Sequence, residues 1–157
     1  MIQTRAAEMT DLQQIHRIEM ECFGNTGVPI AQLQWLLEKQ GADPVLFIAV
    51  AYESENAELK GFICWKKVKD SARNHLEILD LGVGKNFRDE RVENTLIEHL
   101  SEVAKISKAE GLTVMVPSAN VGAMQFYARV GFFPQKPIDN IFMGDRAEIL
   151  TKKIWAD

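Results

Sequence analysis

Asn120-Val121-Gly122-Ala123-Met124-Gln125-Phe126-Tyr127-Ala128-Arg129-Val130-Gly131-Phe132 is the stretch that decides the fold. The Asn120 carboxamide can accept a hydrogen bond from a first-turn amide, so a helix is expected from Asn120 through Val130. Gly131 suits the terminal turn that follows, and Phe132 then enters the core. Leu112 to Val116, just upstream, is an apolar run of strand length. Upstream again, Val92, Leu96, Leu100, Val103 and Ala104 recur at helical spacing between Arg91 and Glu110, with Gly111 placed to stop that helix. Leu76 to Val83 alternates as a strand. The resulting order is strand, helix, strand, helix, strand, which points to a mixed α/β unit.

The N-terminal part extends the same pattern. Ile2 to Ala6 reads as a first strand. Thr10 or Asp11 can then cap a helix carrying Leu12, Ile15, Ile18 and Cys22 on one stripe. After the loop Gly24-Asn25-Thr26-Gly27-Val28-Pro29, Pro29 suits the first turn of a second helix with Ile30, Leu33, Leu36 and Leu37, ended by Gly41. Val45 to Tyr52 and Leu59 to Val68, joined by Glu53-Ser54-Glu55-Asn56, read as an antiparallel hairpin. Ala147 to Trp155 closes the chain as a last strand, after a loop containing Pro137, Asp139 and Asn140.

Size and charge exclude several classes. A chain of 157 residues suits one domain, so residues 1–157 are expected to form a single unit. Its 46% hydrophobic and 25% charged residues are those of a globular protein. Eighteen basic against twenty-two acidic side chains leave a net charge of −4, which argues against a nucleic-acid partner. Apolar runs fall well short of the ~20 residues of a membrane span, and no signal-peptide pattern opens the chain, so a cytoplasmic protein without a membrane anchor is expected. Cys22 and Cys64 lack metal-ligand spacing with His16, His75 or His99; both read as small buried side chains and no metal is expected.

From Ile2 to Trp155 the order of elements resembles the GCN5-related N-acetyltransferase superfamily, best over Leu76 to Phe132. The quoted stretch fits that family's pattern of Asn, two residues, Ala, two residues, an apolar residue, Tyr, then Gly-Phe. The resemblance implies one twisted, mostly antiparallel mixed sheet of about six to seven strands, flanked by about four helices. It also implies acetyl-coenzyme A as cosubstrate and a primary amine, on a small molecule or a protein, as acceptor. A homodimer is compatible with it.

Family members hold the coenzyme's pyrophosphate on backbone N–H groups at a helix N-terminus, in a loop of Arg or Gln, two residues, Gly, one residue, then Gly or Ala. The corresponding residues are Arg88-Asp89-Glu90-Arg91-Val92-Glu93, so Arg91 and Glu93 stand where the pattern has small residues. The loop is degenerate. Bulky side chains narrow the approach without removing the donors, Glu93 adds a negative charge, and Lys85, Arg88 and Arg91 can offset it. A solvated, self-capped helix start is the competing reading, and a non-catalytic binding or assembly module is the alternative function.

By the same resemblance, Leu81, Gly82 and Val83 present backbone to the thioester and pantetheine arm, Asn120 and Phe126 lie against the coenzyme, and Tyr127 protonates the departing thiolate. Glu77 is the first candidate for the base that deprotonates the amine. Asp80, which faces the other side of a regular strand, and His75 are further candidates. Glu19, Glu21, Phe23 and Asn25 line the acceptor side by analogy, and Glu19 and Glu21 also fit as solvated helix residues.

Overall fold

The computed structural model describes residues 1–40, 46–69, 74–88, 90–134, 140–142 and 145–154. Gly41, Val45, Asp89, Pro137, Asp139 and Trp155 lie outside the described residues. Eight strands join one sheet in the order β1-β2-β3-β4-β5-β8-β6, with β7 on β8. The sheet is mixed, since β4 and β5 run parallel and the other recorded pairs are antiparallel. Four α-helices accompany it among the described residues. The chain divides into two compact units, Met1–Lys66 with Asp80–Leu100 and Lys67–Leu79 with Ser101–Asp157.

In the first unit, strand β1 (Ile2–Ala6) leads through a 3-10 turn into helix α1 (Leu12–Phe23). Asp11 fixes that entry. Its carboxylate takes two hydrogen bonds from Arg5, of 2.7 and 2.9 Å, and one from the Glu8 amide. Helix α2 (Ile30–Lys39) follows Pro29, which serves as its N-cap. Strands β2 (Leu46–Glu53) and β3 (Leu59–Lys69) form the expected hairpin. Ile15, Ile18, Leu33 and Leu37 from the helices meet Ile48, Val50, Phe62 and Cys64 of these strands in one buried cluster. Each such fully buried Ile or Leu contributes about 1.5–3 kcal/mol. Strand β3 is buried on both faces from Leu59 to Trp65, and a Cβ at Gly61 would lie 3.0 Å from Val92 of helix α3 (Val92–Ile106).

In the second unit, His75 to Ile78 of strand β4 (Asn74–Val83) pair with strand β5 (Gly111–Pro117), from His75↔Gly111 to Ile78↔Val114. Strand β8 (Asp145–Lys153) pairs with β5 along its whole length, and with the short strands β6 (Phe133–Pro134) and β7 (Asn140–Phe142). Helix α4 (Val121–Arg129) starts and stops as its sequence dictates: Asn120 Oδ1 accepts from the Ala123 amide at 3.0 Å, and Gly131 turns with φ +99°.

Helix α3 departs from expectation at its C-terminus. It ends at Ile106 rather than near Glu110, because Lys108 adopts a left-handed φ of 59° and the Ala109 amide bonds back to the Ala104 carbonyl at 2.8 Å. That six-to-one bond is the Schellman closure, made here without glycine. Gly111 instead begins β5, where a Cβ would lie 2.7 Å from the Lys152 carbonyl oxygen.

Candidate active site

In the first unit, the end of β4 carries Leu81, Gly82 and Val83. Gly82 is fixed by packing, since a Cβ there would lie 2.7 Å from the Phe62 ring and 3.2 Å from Ile18. The next amide, of Gly84, donates to Lys60 O at 2.8 Å, and a 3-10 turn over Lys85–Phe87 brings the chain to Arg88. Arg88 is exposed and reaches the Glu21 carbonyl at 3.4 Å.

Arg91 has φ +60°. This is the left-handed conformation that glycine adopts freely and that costs an L-residue roughly 1–2 kcal/mol. The backbone turn a glycine would favour is therefore present although the glycine is not. The Arg91 carbonyl accepts the first helical bond, from the Thr95 amide, so the amides of Val92, Glu93 and Asn94 have no partner within the helix itself.

The carboxylate of Glu90 pairs with Lys60, which also lies 3.3 Å from Glu53 and 4.9 Å from the Phe87 ring centroid. The Lys60 pKa is raised, first by its bond to Glu90. Glu93 Oε2 is buried and lacks a hydrogen-bond partner among the described residues. Asp89 lies outside them.

Glu19 corrects the reading of that residue as solvated. On the inner stripe of α1 it is only 1% exposed. Its carboxyl lies within hydrogen-bonding reach of Asp80 and takes the Val28 amide. Burial, then the Asp80 carboxyl, push its pKa up to about 9. Burial also raises Asp80, against the opposing effect of its bonds to Glu19 and the Leu81 amide. The two carboxyls titrate as a pair, and burial favours the protonated form of each. Spacing carried a signal for this, because Glu19 follows Ile15 by four residues and Asp80 follows Ile78 by two.

In the second unit, Tyr127 is 7% exposed and packs edge-on against Phe126 at 5.0 Å and Phe132 at 5.1 Å. Glu77 of β4 stands opposite Thr113 of β5, half-buried. His75, near the start of the same strand, has its Nδ1 buried with no partner among the described residues. Leu81 to Glu93 thus belong to one unit, and Glu77, Asn120, Phe126 and Tyr127 to the other.

A helix opened by a left-handed turn thus follows strand β4 in the first unit, and a helix capped by Asn120 and carrying Tyr127 stands in the second. Residues 10–132 match the acetyltransferase (GNAT) family. The chain belongs to that family. Acetyl transfer is the activity that membership carries. Among solved structures of similar fold is the ribosomal-protein-S18-alanine N-acetyltransferase from Escherichia coli, with TM-score 0.78 and 18% identity over 100% of this chain and 96% of that one. Ard1 from Thermoplasma volcanium gives 0.79 and 18% over 99% of each. Arabidopsis thaliana NAA60 in complex with acetyl-CoA gives 0.77 and 18% over 98% of this chain and 99% of that one. A search of curated proteins found no match.

The residues present fit a coenzyme A diphosphate at the start of α3. The helix dipole and the exposed cations Lys85, Arg88 and Arg91 favour an anion there. No helix among the described residues is long and apolar enough to cross a membrane.

Proposed function

We propose that this GNAT member is an acetyl-coenzyme A-dependent N-acetyltransferase of the cytoplasm that acts on a primary amine of a small molecule or protein. The left-handed turn at Arg91 carries the reading. It is the backbone conformation that a glycine in a phosphate-binding loop adopts freely, and the Glu90 carboxylate is paired with Lys60. Val92 to Asn94 hold the diphosphate, with Arg88 and Arg91 offsetting its charge. The backbone of Leu81 to Val83 receives the pantetheine arm and the thioester carbonyl, Asn120 and Phe126 support the coenzyme, and Tyr127 supplies the proton taken by the departing sulfur. Glu77 is the acceptor-side base in this assignment.

Titration with acetyl-coenzyme A, followed by release of free coenzyme A with a panel of amines, tests it. Arg91→Gly/Glu93→Gly is expected to tighten coenzyme binding ~10- to 100-fold, by removing bulk and a carboxylate about 5 Å from the phosphates. The buried Glu93 carboxylate in the first turn of α3 favours the second reading, a non-catalytic module of the same fold. Absence of any thermal shift at millimolar coenzyme A would decide for the module.

A further inference from the structure

Lys60 of strand β3 is only 7% exposed, and no role falls to it in the assignment above. It stands at a break in the sheet. Ala51 pairs with Gly61 and Tyr52 with Leu59, so Lys60 is the extra residue of a bulge in β3. Bulges bend a strand and re-aim a side chain, and they gather beside active sites. Here the extra residue breaks the two-residue alternation: Leu59 and Phe62 both enter the cluster with Ile15 and Ile18, while Gly61 faces Val92 and Leu96 of α3. The Lys60 ammonium reaches the chain that leads from β4 into that helix.

That chain advances in tight turns, the Phe87 amide donating to the Gly84 carbonyl at 2.9 Å and the Glu90 amide to the Phe87 carbonyl at 3.1 Å. Lys60 meets each corner. Its carbonyl accepts from the Gly84 amide at 2.8 Å, its ammonium lies 4.9 Å from the Phe87 ring centroid, and the same ammonium pairs with the Glu90 carboxylate. A buried ammonium held by Glu90 and, at 3.3 Å, by Glu53 has no cheap alternative position, because leaving its partners would strand an uncompensated charge. The residue after Glu90 is Arg91, at φ +60°. An L-residue stays in that conformation only where its surroundings over-determine it.

We propose that Lys60 is a positioning residue for the coenzyme: through Gly84, Phe87 and Glu90 it holds the chain before α3 in the turn that receives the diphosphate, without touching the coenzyme itself. The inference rests on the acetyltransferase reading and deepens it. A glycine in the loop would take the left-handed turn unaided. With Arg91 in that place the turn is held from outside, by a side chain that a bulge in a neighbouring strand aims at it. The same grip neutralises Glu90, whose carboxylate would otherwise stand as a free negative charge beside the diphosphate.

The test measures binding of acetyl-coenzyme A by calorimetry and of S-acetylpantetheine, which lacks the diphosphate, by ligand-observed NMR. Lys60→Met is expected to weaken acetyl-coenzyme A binding ~10- to 100-fold, the effect of one lost charged contact, and to leave acetylpantetheine binding unchanged. Glu90→Ala should weaken acetyl-coenzyme A binding ~10-fold with the same indifference to acetylpantetheine. Its side chain is 42% exposed, so this variant carries the test even where Lys60→Met does not fold. Because the two residues act through one contact, Lys60→Met/Glu90→Ala should bind acetyl-coenzyme A no more weakly than Lys60→Met, rather than by the product of the two losses. An unchanged affinity for acetyl-coenzyme A in Glu90→Ala, equal losses for both ligands, or losses that multiply in the double variant would each overturn the proposal while wild-type binding stands. Wild-type protein that binds no acetyl-coenzyme A sinks the acetyltransferase reading and the positioning role together.

Discussion

Arg91 holds a backbone conformation that glycine reaches at lower free energy, and its stability effect can be separated from its effect on coenzyme binding. Arg91→Gly alone should stabilise the fold by about 1 kcal/mol, read as a higher urea midpoint at unchanged slope. A lower midpoint would show that the left-handed turn is not strained. Tyr127 belongs to the same scale. Its ring is fixed between Phe126 and Phe132, so Tyr127→Phe should keep the packing and remove only the hydroxyl. Turnover is expected to fall about 100-fold with coenzyme affinity nearly unchanged, whereas equal rates would take Tyr127 out of the mechanism. The residue-level chemistry was unevenly legible. Asn120 and Tyr127 announced themselves by motif, whereas Glu19 was obscured by its own residue type. Its place on the Ile15–Ile18 stripe marks it as inward-facing, but a glutamate is ordinarily solvated, and only the partner from β4 explains its burial.

At the level of elements, local signals fixed what local physics controls. The cap at Asn120 and the turn at Gly131 bound α4 where the sequence says they must. Asn120→Ala is expected to cost about 1 kcal/mol, seen as a lower thermal midpoint, because the Ala123 amide loses its acceptor. No change in the midpoint would mean that tertiary packing alone sets that helix start. The end of α3 was not legible for a comparable reason. Nothing in the composition marks Lys108 for a left-handed turn, and Gly111, which looks like a helix stop, answers instead to the close approach of β8 to β5. A glycine records that space or conformation is limiting; which of the two applies emerges only when the neighbouring strand is known.

For the whole molecule, the buried acids make stability depend on pH in a direction opposite to the usual one for carboxylates. Glu19 has a folded pKa of about 9, above its unfolded value, so the folded state binds the proton more tightly. Its contribution is complete at acidic pH and is lost as pH rises through the window up to about 9. The limiting slope is roughly 1.4 kcal/mol per pH unit for one proton. Two groups oppose this. Burial raises Asp11, but the Arg5 guanidinium and the Glu8 amide outweigh it and hold the carboxyl below its usual range, so that contribution is lost as pH falls. Burial lowers His99, which likewise weakens the fold toward acid. Subtracting the profile of Glu19→Gln from that of the wild type isolates the carboxyl. The difference should grow steadily from mildly acid to alkaline pH, and a flat difference would deny Glu19 its raised affinity for a proton. The turn at Arg91 also bears on heredity. Every arginine codon and every glutamate codon lies a single base change from a glycine codon. Because the main chain at Arg91 is already bent as glycine prefers, the two-glycine loop lies a short mutational path away, with no refolding needed along the way.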